Sequence, residues 1–152
     1  MTTKQRYPSL LTDRTHRGGA WIAFVGSGLL ILFWTLYFAG ALAFGETDPA
    51  MAEFEAAFPV ADAILAVILF IAGIGLWKGR RFGRFSLTAG AGMTLYLGIL
   101  DFTFYSRQGL YAPLTSEGAV ELIVNLLCVT GGLVGLAYGW KLGRQDHVRR
   151  AA

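Results

Sequence analysis

The sequence predicts an all-α fold: a four-helix transmembrane bundle with both termini cytoplasmic and a short amphipathic helix in the first outer loop. Three observations predict it. Of 152 residues, 55% are hydrophobic and only 15% are charged, whereas soluble domains average about 25% charged. The few charges leave four stretches nearly bare, each of about 20 residues or more and so long enough to cross a hydrocarbon core of ~30 Å. The basic residues fall on alternate sides of those stretches, the asymmetry that sets orientation in a bilayer.

Composition also removes other classes. A mean hydropathy of +0.52 excludes a disordered chain, which needs low hydrophobicity and high charge. Four apolar runs in one domain-sized chain leave too little polar face for a soluble bundle. Barrel strands alternate and run about 10 residues, which these runs do not. The net charge of +3 does not signal a nucleic-acid partner, because the basic residues are split among three segments. Cys128 is the only cysteine, so an intrachain disulfide or a cysteine-cluster metal site is excluded.

The elements follow in order. Residues 1–18 form a tail with Lys4, Arg6, Arg14 and Arg17, and residues 19–44 form an uncharged first span. That span is too long for the apolar core of a signal peptide, and residues 38–43 give only a weak cleavage pattern, so it is expected to be retained. The outer loop 45–57 contains Asp48-Pro49, an N-cap acceptor followed by proline at the first helical position. Met51, Phe54 and Phe58 then share one face, which predicts a short helix lying on the outer surface as an interfacial anchor, with a lid over the bundle as the alternative. The second span covers 58–77. The link 78–84 carries Lys78, Arg80, Arg81 and Arg84; its shortness makes the second and third spans an antiparallel hairpin, and its charge suits lipid headgroups.

The third span covers 85–105. The outer loop 106–117 has turn signals at Gln108-Gly109 and Ala112-Pro113, with Ser116 placed to cap the fourth span, 118–140. The tail 141–152 carries Lys141, Arg144, Arg149 and Arg150. Twelve basic residues therefore lie on the side of the termini, and only Arg107 lies on the other. The expected location is the plasma membrane, multi-pass, with both termini in the cytoplasm. Trp21, Trp77 and Trp140 fall at the inner boundary, and Phe44, Phe58, Tyr105 and Tyr111 near the outer one, as aromatic belts do.

Acids inside membrane helices are costly and by default mark function. Asp62 sits one turn into the second span, Asp101 one turn before the end of the third, and Glu121 one turn into the fourth. Alternate spans run in opposite directions, so all three share one depth near the outer surface. A carboxylate in the first turn of a helix gains from the helix dipole, which suits Asp62 and Glu121 but not Asp101, near a C-terminus. Glu121, Asn125, Cys128, Gly132, Gly135 and Gly139 form one stripe on the fourth span, and Thr94, Gly98, Asp101 and Tyr105 another on the third. Small residues let helices approach closely, so these stripes are expected to face the interior. They would gather Asp62, Asp101, Glu121, Asn125, Thr94 and Tyr105, with Tyr37 beside them, around a polar pocket. Arg107, the sole outer basic residue, is the expected partner of Asp101 or Glu121.

Gly131, Gly135, Gly139 and Gly143 repeat at small-x3-small spacing, which is expected to serve packing within the chain before dimerisation. Cys128 reads as inert packing. His16 and His147 lie in the tails, so no span supplies a histidine for haem or zinc. The chain resembles the four-helix multidrug exporters in span number alone, because those rely on a glutamate in the middle of the first span and this first span has no charge.

The leading expectation is a small membrane protein whose outward acidic pocket binds a cation, a proton or a small ligand for transport or sensing, with no cofactor. In transport, Asp101 and Glu121 would alternate between protonated and ligand-bound states. The alternatives are an accessory subunit of a homo-oligomer or larger membrane complex, and a metal-dependent enzyme acting on a lipid. The lipid bilayer is the partner common to all three.

Overall fold

The computed structural model describes residues 10–41 and 49–151. Five helices follow in order: α1 (Leu10–Phe38), α2 (Pro49–Glu55), α3 (Phe58–Trp77), α4 (Arg81–Arg107) and α5 (Ser116–Ala151). Among the described residues there is no strand. α1, α3, α4 and α5 contain segments long and apolar enough to cross a membrane, which marks a multi-pass membrane protein. The helices overrun the expected spans. α1 begins and α5 ends within the tails, and α4 absorbs most of the basic link, leaving only residues 78–80 as the turn. Gly79 makes that turn at φ +62, a left-handed conformation that glycine adopts without a side-chain penalty.

The four long helices pack in series, α1 on α3, α3 on α4, and α4 on α5, and α1 reaches α5 to close the ring. The closure is at the basic end, where Ala20, Ala23, Ala72, Leu76, Leu87 and Leu142 form one core with Phe24 and Tyr138 against it. Many of the other large apolar side chains point outward, although Leu65, Leu69, Met51 and Tyr105 are buried. Trp21, Trp77 and Trp140 are all more than half exposed, as belt residues are.

Lipid tails are as apolar as leucine, so burial of apolar area does not drive these helices together; van der Waals packing at small residues does. Cβ atoms built on the glycines show where it acts. At Gly132 a Cβ would lie 2.7 Å from the backbone nitrogen of Leu95, at Gly135 2.7 Å from Ala91 Cβ, and at Gly98 2.8 Å from Cys128 Cβ. A Cβ on Gly139 would strike Thr88. The glycines of the stripe expected on α5 thus seat on α4 inside one chain, along Thr88, Ala91, Leu95 and Gly98, of which only Gly98 belongs to the stripe expected there. Gly131, the first member of the small-x3-small run, is outside it, with nothing within 4 Å. The α3–α4 hairpin closes in the same way, Gly75 Cα against Gly83 backbone. Between α1 and α3, Ser27 Oγ donates to Ala66 O at 2.9 Å.

Two local expectations change. Thr115, not Ser116, caps α5, because its Oγ1 accepts the Gly118 N–H at 3.1 Å. Tyr105 and Tyr111 do not join a belt. Tyr105 is buried, and Tyr111 is folded inward. Asp48 and Phe44 lie outside the described residues.

Gly132→Ala should lower stability by about 1–3 kcal/mol, the usual cost of overpacking a tight contact, because the colliding atoms are backbone. Gly131→Ala, one position away and open, should be neutral or stabilising by up to about 1 kcal/mol through helix propensity. Thermal unfolding in detergent checks both.

Candidate functional site

The end of the bundle opposite the basic core is acidic. α2 brings Glu55 there, α3 brings Asp62, α4 Asp101 and α5 Glu121. Glu55 and Glu121 are buried, at 7% and 5% exposure, and Asp62 and Asp101 are half-buried. Asp101 lies within electrostatic range of Asp62 and Glu55. Tyr105 lies within range of Glu121, Glu55 and Asp101, and Cys128 within range of Asp101, Asp62 and Glu121. The four carboxylates therefore form one neighbourhood.

Neutral donors hold two of these acids, Asp62 and Glu55. Trp34 of α1 donates its Nε1–H to Asp62 Oδ2 at 2.8 Å. Tyr105 of α4 donates its hydroxyl to Glu55 Oε1 at 3.1 Å, and Tyr37 of α1 makes a longer contact with Glu55 Oε2 at 3.5 Å. Arg107 is exposed in the last turn of α4, and the charges acting on Asp101 are the carboxylates, not its guanidinium. Apart from Arg107, no basic residue occurs between Arg17 and Lys78 or between Arg84 and Lys141.

Asn125 lies one turn below Glu121 on α5 and is 1% exposed. Its Nδ2–H donates to Tyr111 Oη at 2.9 Å. Its Oδ1 is buried and accepts no hydrogen bond. Leaving a buried acceptor unmet costs about 1–3 kcal/mol, and such groups in native structures call for an explanation. Tyr111 comes from the α4–α5 loop, where Gly109 turns at φ +76, and its ring stacks on Phe102 with centroids 5.6 Å apart. Burial pushes the Tyr111 phenol above its ordinary pKa, the hydrogen bond from Asn125 pulls it back, and the Glu121 and Asp101 charges push it up again. The phenol therefore keeps its proton at neutral pH.

The sequence-predicted residues are sorted by this geometry. Asp62, Asp101, Glu121, Asn125 and Tyr105 come together. Thr94 is spent on its own helix, its Oγ1 donating to Gly90 O at 2.9 Å. Arg107 stays at the surface. Three contributors were not anticipated: Glu55, Trp34 and the inward role of Tyr111. Glu55 had a signal, since it shares the helical face of Met51 and Phe58 and follows Phe54 directly. α2 is seated on the bundle, not spread as an anchor. Met51 is buried, and the Phe54 ring stacks on Phe104 with centroids 3.7 Å apart.

Tyr105→Phe removes the shorter of the two hydrogen bonds to a buried carboxylate and should cost about 1–3 kcal/mol. Tyr37→Phe removes the 3.5 Å contact and should cost less than about 0.5 kcal/mol, since a bond that long is weak. Comparing their unfolding midpoints with the parent checks the order. No protein-family model, curated protein or solved structure matches the chain, so the chemistry of the acidic end is read from its own residues.

Proposed function

We propose that the acidic end binds a proton or a small hydrogen-bond-donating cation, and that the protein serves transport or sensing of that species across or at the membrane. One observation carries this reading. The buried Asn125 Oδ1 has no donor, and it sits beside a set of carboxylates whose sequence neighbourhood supplies no cation except the exposed Arg107. Charge taken out of water must be compensated, because the penalty for an unpaired buried ion is several kcal/mol. Interhelical hydrogen bonds in membranes return only about 0.6–1.7 kcal/mol, so the Trp34 hydrogen bond alone does not balance an ionised Asp62. Protons or a bound cation must do so. A cation there would also supply the donor or positive pole that Asn125 lacks.

Among the described residues, no three Asp, Glu, His or Cys side chains are arranged to hold a metal ion. The donor set thus fits a proton or an ammonium-like group better than a coordinated metal, and it gives the lipid-enzyme alternative no support. With the twelve basic residues on the cytoplasmic side, the acidic end faces outward and both termini face the cytoplasm. Asp101 and Glu121, on the two helices in closest contact, are the pair that would exchange proton for ligand. Glu55, Asp62 and Asn125 would hold the surroundings polar.

In liposomes with an imposed pH gradient, the Asp101→Asn/Glu121→Gln double variant should lose at least about 90% of proton uptake, as removal of intramembrane acids on an ion pathway does. Glu53→Gln, an exposed acid on α2, should keep it. Asn125→Leu separates a ligand role from a packing role: uptake should fall although the folded protein remains as stable as the parent or more so. Parent-like uptake in the double variant sinks the proposal.

A further inference from the structure

A second feature lies at the other end of the molecule and is independent of the acids. Between α1 and α3, at the basic end, an open cleft of about 290 Å³ is lined by Trp21, Phe24, Ile74, Trp77 and Lys78. Apart from Lys78 these residues offer an apolar wall. The wall is built. Trp21 and Trp77 meet edge to face with centroids 6.2 Å apart, and Phe24 meets Phe70 at 5.7 Å. Gly73 makes room for Phe24, since a Cβ there would lie 2.5 Å from the ring. Both tryptophans remain more than half exposed, so the cleft opens on the flank of two helices that cross the membrane.

The mouth is cationic. Lys78 is exposed and follows Trp77 directly, and the Arg17 guanidinium carbon sits 5.7 Å from the centroid of the Trp77 ring. Two cations thus stand at one edge of an apolar cleft. Three properties choose the occupant. The wall matches hydrocarbon, not a polar solute. The cleft is at or below the ~300 Å³ lower bound of sites that enclose a whole small molecule, so it takes part of a longer one. The mouth matches a phosphate, and basic residues beside a membrane helix attract anionic headgroups at about 1 kcal/mol each. We propose that this cleft binds one anionic phospholipid, with part of an acyl chain lying between Trp21, Phe24, Ile74 and Trp77 and the headgroup phosphate held by Lys78 and Arg17.

Native mass spectrometry of the full chain, released from detergent micelles containing equal amounts of phosphatidylglycerol and phosphatidylcholine, tests this. The parent should retain one phosphatidylglycerol with a preference on the order of 10-fold over phosphatidylcholine. The Arg17→Gln/Lys78→Gln variant should retain both lipids equally. The Arg80→Gln/Arg144→Gln variant, which loses the same charge at the same end without touching the cleft, should keep the parent's preference. Ile74→Trp, which fills the cleft and leaves both cations, should lose the retained lipid, and it carries the test alone if the first variant melts below the parent. Equal retention of the two lipids by the parent overturns the proposal. So does equal loss in the two charge variants, which would make retention a matter of net charge, or undiminished retention in Ile74→Trp.

Discussion

α4 and α5 touch almost backbone to backbone, and the rest of the structure depends on that contact. Leu95 meets Gly132, Ala91 meets Gly135, and Gly98 meets Cys128. Small residues at this seam allow the approach, and dispersion at short range stabilises it, because no solvent-driven term is available between helices in lipid. The seam also sets register. Once Gly98 is opposite Cys128, Asp101 and Glu121 are carried to the same end of the pair, about one turn beyond the contact on α4 and about two turns beyond it on α5. A longer side chain at Gly132 would separate the helices and with them the carboxylates. Packing at the glycine face therefore fixes where the polar chemistry stands.

The two ends of the bundle solve different problems. At the basic end α1 joins the ring, and a small aliphatic core closes it. At the acidic end closure is made by polar side chains and by α2, with Trp34, Tyr37 and Tyr105 donating to Asp62 and Glu55. Trp and Tyr can each give a hydrogen bond without adding charge. They hold the Asp62 and Glu55 carboxylates in position without adding charge of their own. An arginine in the same place would add a positive charge that is never lost.

Much of this was legible in the sequence, because a bilayer permits few solutions. Four apolar stretches without charge must be helices that satisfy their own backbone, and the shared depth of Asp62, Asp101 and Glu121 follows from their antiparallel order. The stripe on α5 was readable from its spacing of three and four. Glu55 was not placed, because a charged residue in a loop between spans ordinarily faces water. Only tertiary contact, Phe54 on Phe104 and Tyr105 on the carboxylate, turns it inward. The same holds for Tyr111, whose inward fold depends on the loop path after Gly109. For Thr94 the helix itself supplies a partner: a threonine hydroxyl can reach the carbonyl one turn back, and here it donates to Gly90 O.

The position of Glu55 has a mechanical consequence. Four rods that touch only their neighbours make a frame that can shear from a square to a rhombus. α1 and α4 stand across the diagonal of this frame. The Glu55 carboxylate is gripped from one corner by Tyr37 and from the other by Tyr105, so α2 acts as a cross-brace at the end where the aliphatic core is missing. Its two grips are unequal, 3.5 Å against 3.1 Å. A brace of this kind yields first on the α1 side, and shear there would part the Trp34–Asp62 contact while leaving the α4–α5 seam whole.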